Sequence, residues 1–161
     1  MRPRALALAF ALAACGKSDD GVVGDRAAMV AVLDADANVA AVLHRADGLV
    51  VSGKGKDALA LVDGLAREGA EKNAGAADAL APRSRWGKER AEAVKKLTRD
   101  RRASVSAYRS ALASDELANV VASMEAQKSV EARAMAISSA VREEPTSGCG
   151  RGASPPLPSP P

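Results

Sequence analysis

The chain has 161 residues and a mass of 16.4 kDa, which suits one small domain and leaves no room for two full cores. Hydrophobic residues make up 47%, but 37 of them are alanine and aromatics are only 2%, so the composition favours helices and excludes an all-β sandwich or barrel. The formal net charge of +3 excludes charge-driven disorder, and one histidine, two cysteines and no dense polar cluster argue against most catalytic sites.

Met-Arg-Pro-Arg opens the chain, followed by an apolar run from Ala5 to Ala14 and then Cys15. A run of that length fits the core of an export signal and falls well short of the ~20 residues of a membrane-spanning helix. Leu12-Ala13-Ala14-Cys15 resembles the lipobox of bacterial lipoproteins. That resemblance implies a signal peptide over residues 1–14, cleavage before Cys15, and acylation of the Cys15 thiol and of the new amino group. Several acyl chains, each methylene worth about 0.8 kcal/mol when buried, would hold the protein to a bilayer. Gly16 stands where an aspartate would retain a lipoprotein at the inner membrane, so the resemblance implies the outer membrane, facing the periplasm. Cleavage removes Arg2 and Arg4 and leaves a nearly neutral chain, which gives no bulk attraction to nucleic acid.

Residues 15–24 read as the lipidated cysteine and a flexible tether, and 25–143 as a helical domain. The first helix is expected from about Asp25 to Asp47, with Met29, Val32, Leu33, Val39, Ala40 and Leu43 on one stripe and a stop at Gly48. A second, from about Asp57 to Ala81, is expected to break between Gly69 and Gly75, since each internal glycine costs about 1 kcal/mol against alanine. A third starts near Ser84, after Pro82, and runs to Ala113 with Val94, Leu97, Val105, Tyr108 and Leu112 on one face. The fourth follows Ser114, with Asp115 and Glu116 favoured by the helix dipole, and ends before Pro145. Its stripe moves from Leu117, Val120, Val121 and Met124 to Val130, Ala134, Ile137 and Val141. The fourth helix therefore either bends near Gln127 or packs its two halves against different partners.

Short connections predict an all-α fold, a small antiparallel bundle of three to four helices. Residues 83–110 carry ten basic and three acidic side chains, and 115–144 six acidic and three basic, so charge predicts that the third and fourth helices are neighbours. From residue 144 onward, prolines at 145, 155, 156, 158, 160 and 161 predict a disordered tail. Cys149 lies in that tail as a tolerated thiol or an intermolecular disulfide partner.

The motifs that could carry chemistry are incomplete. Gly48 to Lys54 has the glycine and lysine spacing of a phosphate-binding loop, but Gly55 stands where a magnesium-holding hydroxyl is needed. His44 has Asp47 as its only carboxylate neighbour within one turn, too little for a metal site. Cys149 is not followed by the histidine of a covalent haem site, and no Gly-x-Ser-x-Gly is present. Met29, Met124 and Met135 read as core residues, and Trp86 and Tyr108 as isolated aromatics. No catalytic residue, cofactor or metal is therefore expected.

Asp36 lies at the centre of the first apolar stripe and Arg101 at the centre of the third. Each would be costly if buried alone, so they are expected to meet as an ion pair inside the bundle, unless one snorkels to water or the pair centres a ligand site. The expected function is a lipid-anchored, non-enzymatic helical module that binds or braces an envelope protein or the cell wall. In outline it resembles the Braun-type murein lipoprotein, although this chain ends Pro-Ser-Pro-Pro and not in the lysine that is joined to the wall. The alternative is a periplasmic ligand-binding or stress-sensing bundle.

Overall fold

The structure, a computed structural model, describes residues 16–143, with side chains from Gly21 onward. Cys15, the signal segment and the proline-rich tail with Cys149 lie outside the described residues. Helix α1 spans Gly16–Val51, α2 Gly55–Leu61, α3 Arg67–Asp78, α4 Arg85–Ser114 and α5 Leu117–Arg142. A π-helical turn over Val62–Ala66 joins α2 to α3, so the fold is four helical stretches packed together, with no strand among the described residues.

The first stretch is longer than expected at both ends. Residues 16–24, read as a flexible tether, are helical. At the other end α1 passes Gly48 because Leu49 and Val50 pack against the core. It stops at Gly53, whose φ of 74° is open to glycine at little cost. The Gly53 amide donates to the Val50 carbonyl at 2.9 Å and the Lys54 amide to the Leu49 carbonyl at 2.8 Å, which is a Schellman cap. The glycine and lysine of the phosphate-loop-like segment thus spend their amides on closing a helix.

The expected break between Gly69 and Gly75 is absent. Gly69 is where α3 approaches α1 closely: a Cβ there would stand 3.1 Å from Val39 Cγ2. The irregularity falls at Val62–Ala66 instead, and the sequence shows why. Ala58, Val62, Ala66, Ala70 and Ala74 are all buried and spaced by four, which overruns a 3.6-residue turn by about 40° each time. A π turn absorbs one residue and returns the stripe to the core.

Ser84 caps α4, its Oγ accepting from the Gly87 amide at 2.9 Å. Asp115, with φ of 56°, and Glu116 make the turn into α5 and so precede it instead of filling its first turn. Helix α5 is continuous through Gln127. Val120 and Met124 join one apolar cluster and Val130, Ala134, Ile137 and Val141 the other, so its halves pack against different partners.

The stretches run alternately up and down. Helix α1 touches every other helix, α4 does the same, and α2–α3 shares no contact with α5. The parallel pair α1 and α4 therefore forms the diagonal of the bundle, flanked on opposite sides by α2–α3 and α5. One core cluster, near Gly16, holds Met29, Val32, Leu33, Ala77, Val94, Leu97, Val130 and Val141. The other holds Val39, Leu43, Ala46, Ala58, Val62, Ala66, Ala70, Val105, Tyr108, Ala111 and Val120. The segment Gly21–Val51 reaches a mean hydropathy of 1.4 and is long enough to cross a membrane, but its apolar face forms part of this core.

Helices α4 and α5 are neighbours as expected, yet not through the expected charges. The basic side chains of α4 pair largely away from α5: Arg99 with Asp78 at 2.7 Å, Arg101 with Asp36, and Arg109 with Asp63. The α4–α5 ion pair runs the other way, from Arg133 of α5 to Asp100 of α4 at 2.7 Å. Apolar side chains of both helices share the two core clusters, Val105 and Tyr108 with Val120 in one and Val94 and Leu97 with Val130 and Val141 in the other.

Candidate functional site

Asp25, Asp36 and Asp47 follow one another at intervals of eleven residues, about three helical turns, and so share one face of α1. Each accepts hydrogen bonds from α4 or the residues leading into it. The Asp25 carboxylate takes the Arg83 amide at 2.9 Å, the Ser84 amide at 2.7 Å and the Ser84 hydroxyl. Asp47 takes the Tyr108 hydroxyl at 2.7 Å. Between them Asp36 meets Arg101: Nε lies 3.1 Å from Oδ1 and Nη2 3.0 Å from Oδ2. Both side chains are within 2% of full burial, so the pair expected from the two stripes forms, and neither charge snorkels to water.

The ladder fixes which faces of α1 and α4 meet. At its lower rung, burial pushes the Asp25 carboxyl up, but the Ser84 hydroxyl and the two amides outweigh this and hold it below the usual carboxylate range. A Cβ on residue 87 would collide with this carboxylate, which accounts for Gly87 inside the first turn of α4. At the upper rung, burial and then the hydrogen bond to Asp47 push the Tyr108 phenol well above its ordinary value.

The middle rung belongs to a wider polar belt. Along α1, Asp36 falls between Leu33 of one cluster and Val39 of the other, and along α3 Asn73 falls between Ala77 and Ala70. Thr98 and Arg101 fall between Leu97 and Val105 on α4, and Gln127 between Val130 and Met124 on α5. All five are buried. Each long stretch thus contributes a buried polar side chain where the two apolar clusters divide. The buried atoms Asn73 Oδ1, Arg101 Nη1 and Ser104 Oγ and both amide atoms of Gln127, all in or beside this belt, have no hydrogen-bond partner.

A cleft of about 370 Å³ opens onto the belt between α1 and α5. Asp36 and Arg101 lie among its lining, with Ala37, Ala40, Ala41 and Ala134. Two polar contacts joining α1 to α5 stand at its ends: the Asp34–Arg142 ion pair, and His44 Nε2 at 3.2 Å from the Glu131 carboxylate. His44 therefore meets a carboxylate from another helix and not Asp47, which is engaged with Tyr108. Among the described residues no group of three or more His, Cys, Asp and Glu side chains is placed to hold a metal.

The other singled-out residues divide. Met29 is core and Met124, partly buried, packs against the far cluster, but Met135 is 69% exposed at the cleft rim, against expectation. Trp86, at the Gly16 end, has the guanidinium groups of Arg90 and Arg26 over its ring, 4.7 and 5.8 Å from the ring centre. The aspartates at 25 and 47 were missed as ladder members, although their eleven-residue spacing around Asp36 is visible in the sequence. No known protein family, curated protein or solved structure matches the chain.

Proposed function

We propose that the chain is a lipid-anchored, non-enzymatic module of the bacterial cell envelope, held by acylated Cys15 and bracing or binding a partner with its bundle. The observation that supports this reading is the polarity of the molecule. Helix α1 begins at Gly16, next to Cys15, and packs against every other helix, so a pull on the anchor is carried straight into the core. The Asp25 rung ties the α3–α4 connection to α1 at that same end. The opposite end, at the α1–α2 and α4–α5 turns, exposes Val51 and Leu117, with Val121 one turn further along α5. Apolar side chains held away from the bilayer suit contact with an envelope protein or the cell wall. With Gly16 after the cysteine, the outer membrane facing the periplasm is the proposed location.

The test is Cys15→Ser with metabolic labelling by palmitate and fractionation of the cells. Loss of both label and membrane recovery is expected; unchanged membrane association of the variant rejects the anchor.

A further inference from the structure

We propose that the cleft between α1 and α5 binds a small neutral molecule that offers a carbonyl oxygen to Arg101 and an apolar body to the alanine walls. Arg101 meets Asp36 with one edge of its planar guanidinium, Nε and Nη2. Nη1 carries two further N–H groups and has no partner; it is closed to water, so a ligand oxygen reaches it only as the cleft that Arg101 lines opens slightly. A buried donor without an acceptor is costly, and a ligand oxygen placed against it recovers that cost. The volume of about 370 Å³ falls within the range of ligand pockets, and walls of Ala37, Ala40, Ala41 and Ala134 leave room for an apolar body.

Charge selects the ligand class. Asp36 already neutralises Arg101, and the Asp34–Arg142 and His44–Glu131 pairs occupy the two ends. The lining has no surplus positive charge for a carboxylate or phosphate. A pure hydrocarbon fills the walls and leaves Nη1 unpaired, whereas a neutral carbonyl satisfies both. This inference is independent of the anchor at Cys15.

The test uses the full chain carrying Cys15→Ser, labelled with nitrogen-15 and titrated separately with 2-octanone, octanoate and octane. The ketone is expected to shift the amides of Ala37, Ala40 and Ala134 and the Arg101 side-chain resonances. Octane and octanoate should bind about tenfold more weakly, the order of one lost hydrogen bond. Ala40→Leu, which fills the cleft, should abolish the shifts while the circular dichroism is unchanged; Ala41→Leu, on the exposed wall, serves the same purpose if the first variant unfolds. No shift with the ketone, an equal response to octane, tighter binding of octanoate, or shifts that survive in a folded filled-cleft variant would each overturn the proposal.

Discussion

The cluster near Gly16 is filled by Met29, Leu33, Leu97 and valines of α1, α4 and α5, with Ala77 from α3, whereas the far cluster sets Ala46, Ala58, Ala66, Ala70 and Ala111 among Leu43, Tyr108 and the valines at 39, 62, 105 and 120. Aliphatic side chains bury more apolar surface per residue, at about 0.8 kcal/mol per methylene, so the near half gains from side-chain bulk. Alanine buries little but lets backbones approach, and the far half gains from that closeness, with the π turn keeping the α2–α3 alanines facing inward. Each half is pinned by its own aspartate rung, Asp25 near and Asp47 far, and the Asp36–Arg101 belt divides them. Alanines can supply nearly half of a core cluster provided the helices are held in register by specific polar contacts.

The belt should dominate any perturbation because it borders both halves. Arg101→Gln leaves Asp36 buried without its cation and should cost about 3–5 kcal/mol in urea unfolding. Adding Asp36→Asn should recover part of the loss, with a coupling of roughly 0.5–3 kcal/mol by double-mutant cycle. Simple additivity would mean that the belt does not act as a unit.

A truncation in each cluster sharpens the contrast. Leu43→Ala should cost toward the upper part of the range of about 2–5 kcal/mol, because five of the eleven buried members of its cluster are alanines, which have no side chain to swing into the cavity. Leu97→Ala, among Met29, Leu33 and Trp86, should fall toward the lower part, since its neighbours can relax. Equal losses would argue that the two halves respond alike.

The rungs give smaller, local effects. Asp25→Ala removes the charged acceptor of three donors and should cost about 1.5–3 kcal/mol, with faster hydrogen exchange around residues 79–87 and little change near Tyr108. In the unmodified chain the folded Asp25 has a lowered pKa. Its contribution is therefore complete above the unfolded value of 3.8 and is lost as pH falls through the folded value, a loss that acid unfolding of the alanine variant should lack.

Tyr108→Phe should cost the least, about 0.5–1.5 kcal/mol. The folded Tyr108 pKa is raised, so its contribution is complete below the unfolded value of 10.0 and fades as pH rises from there. Alkaline unfolding should be shallower in the phenylalanine variant, and an unchanged alkaline profile would remove the upper rung from the account.

The helical class, the start of α4 at Ser84 and the core stripes of α1 and α4 were legible in the sequence, because alanine content, a capping serine after Pro82 and a 3.6-residue period are local properties. The Asp36–Arg101 pair was legible for a related reason: a charge at the centre of an apolar stripe demands an opposite charge. The α2–α3 stretch misled, since its glycines suggested a break near Gly69. Burial of an every-fourth alanine stripe moved the irregularity to Val62–Ala66, and contact with Val39 put Gly69 to use inside the helix.

By itself the sequence determined that this chain forms amphipathic helices, where α4 begins, and which stripes of α1 and α4 had to be buried, since these follow from backbone propensity and hydrophobic period, whereas Met135, Leu117 and Val121, read from the same pattern as core, are exposed. Only the tertiary structure decided that α1 and α4 form the diagonal, that Arg99, Arg101 and Arg109 turn to Asp78, Asp36 and Asp63 and not to α5, and that His44 meets Glu131. The physical reason is that alanine-rich faces are nearly interchangeable as packing surfaces. Helix order and register are therefore set by long-range polar contacts and close backbone approaches, which exist only once all the stretches are assembled.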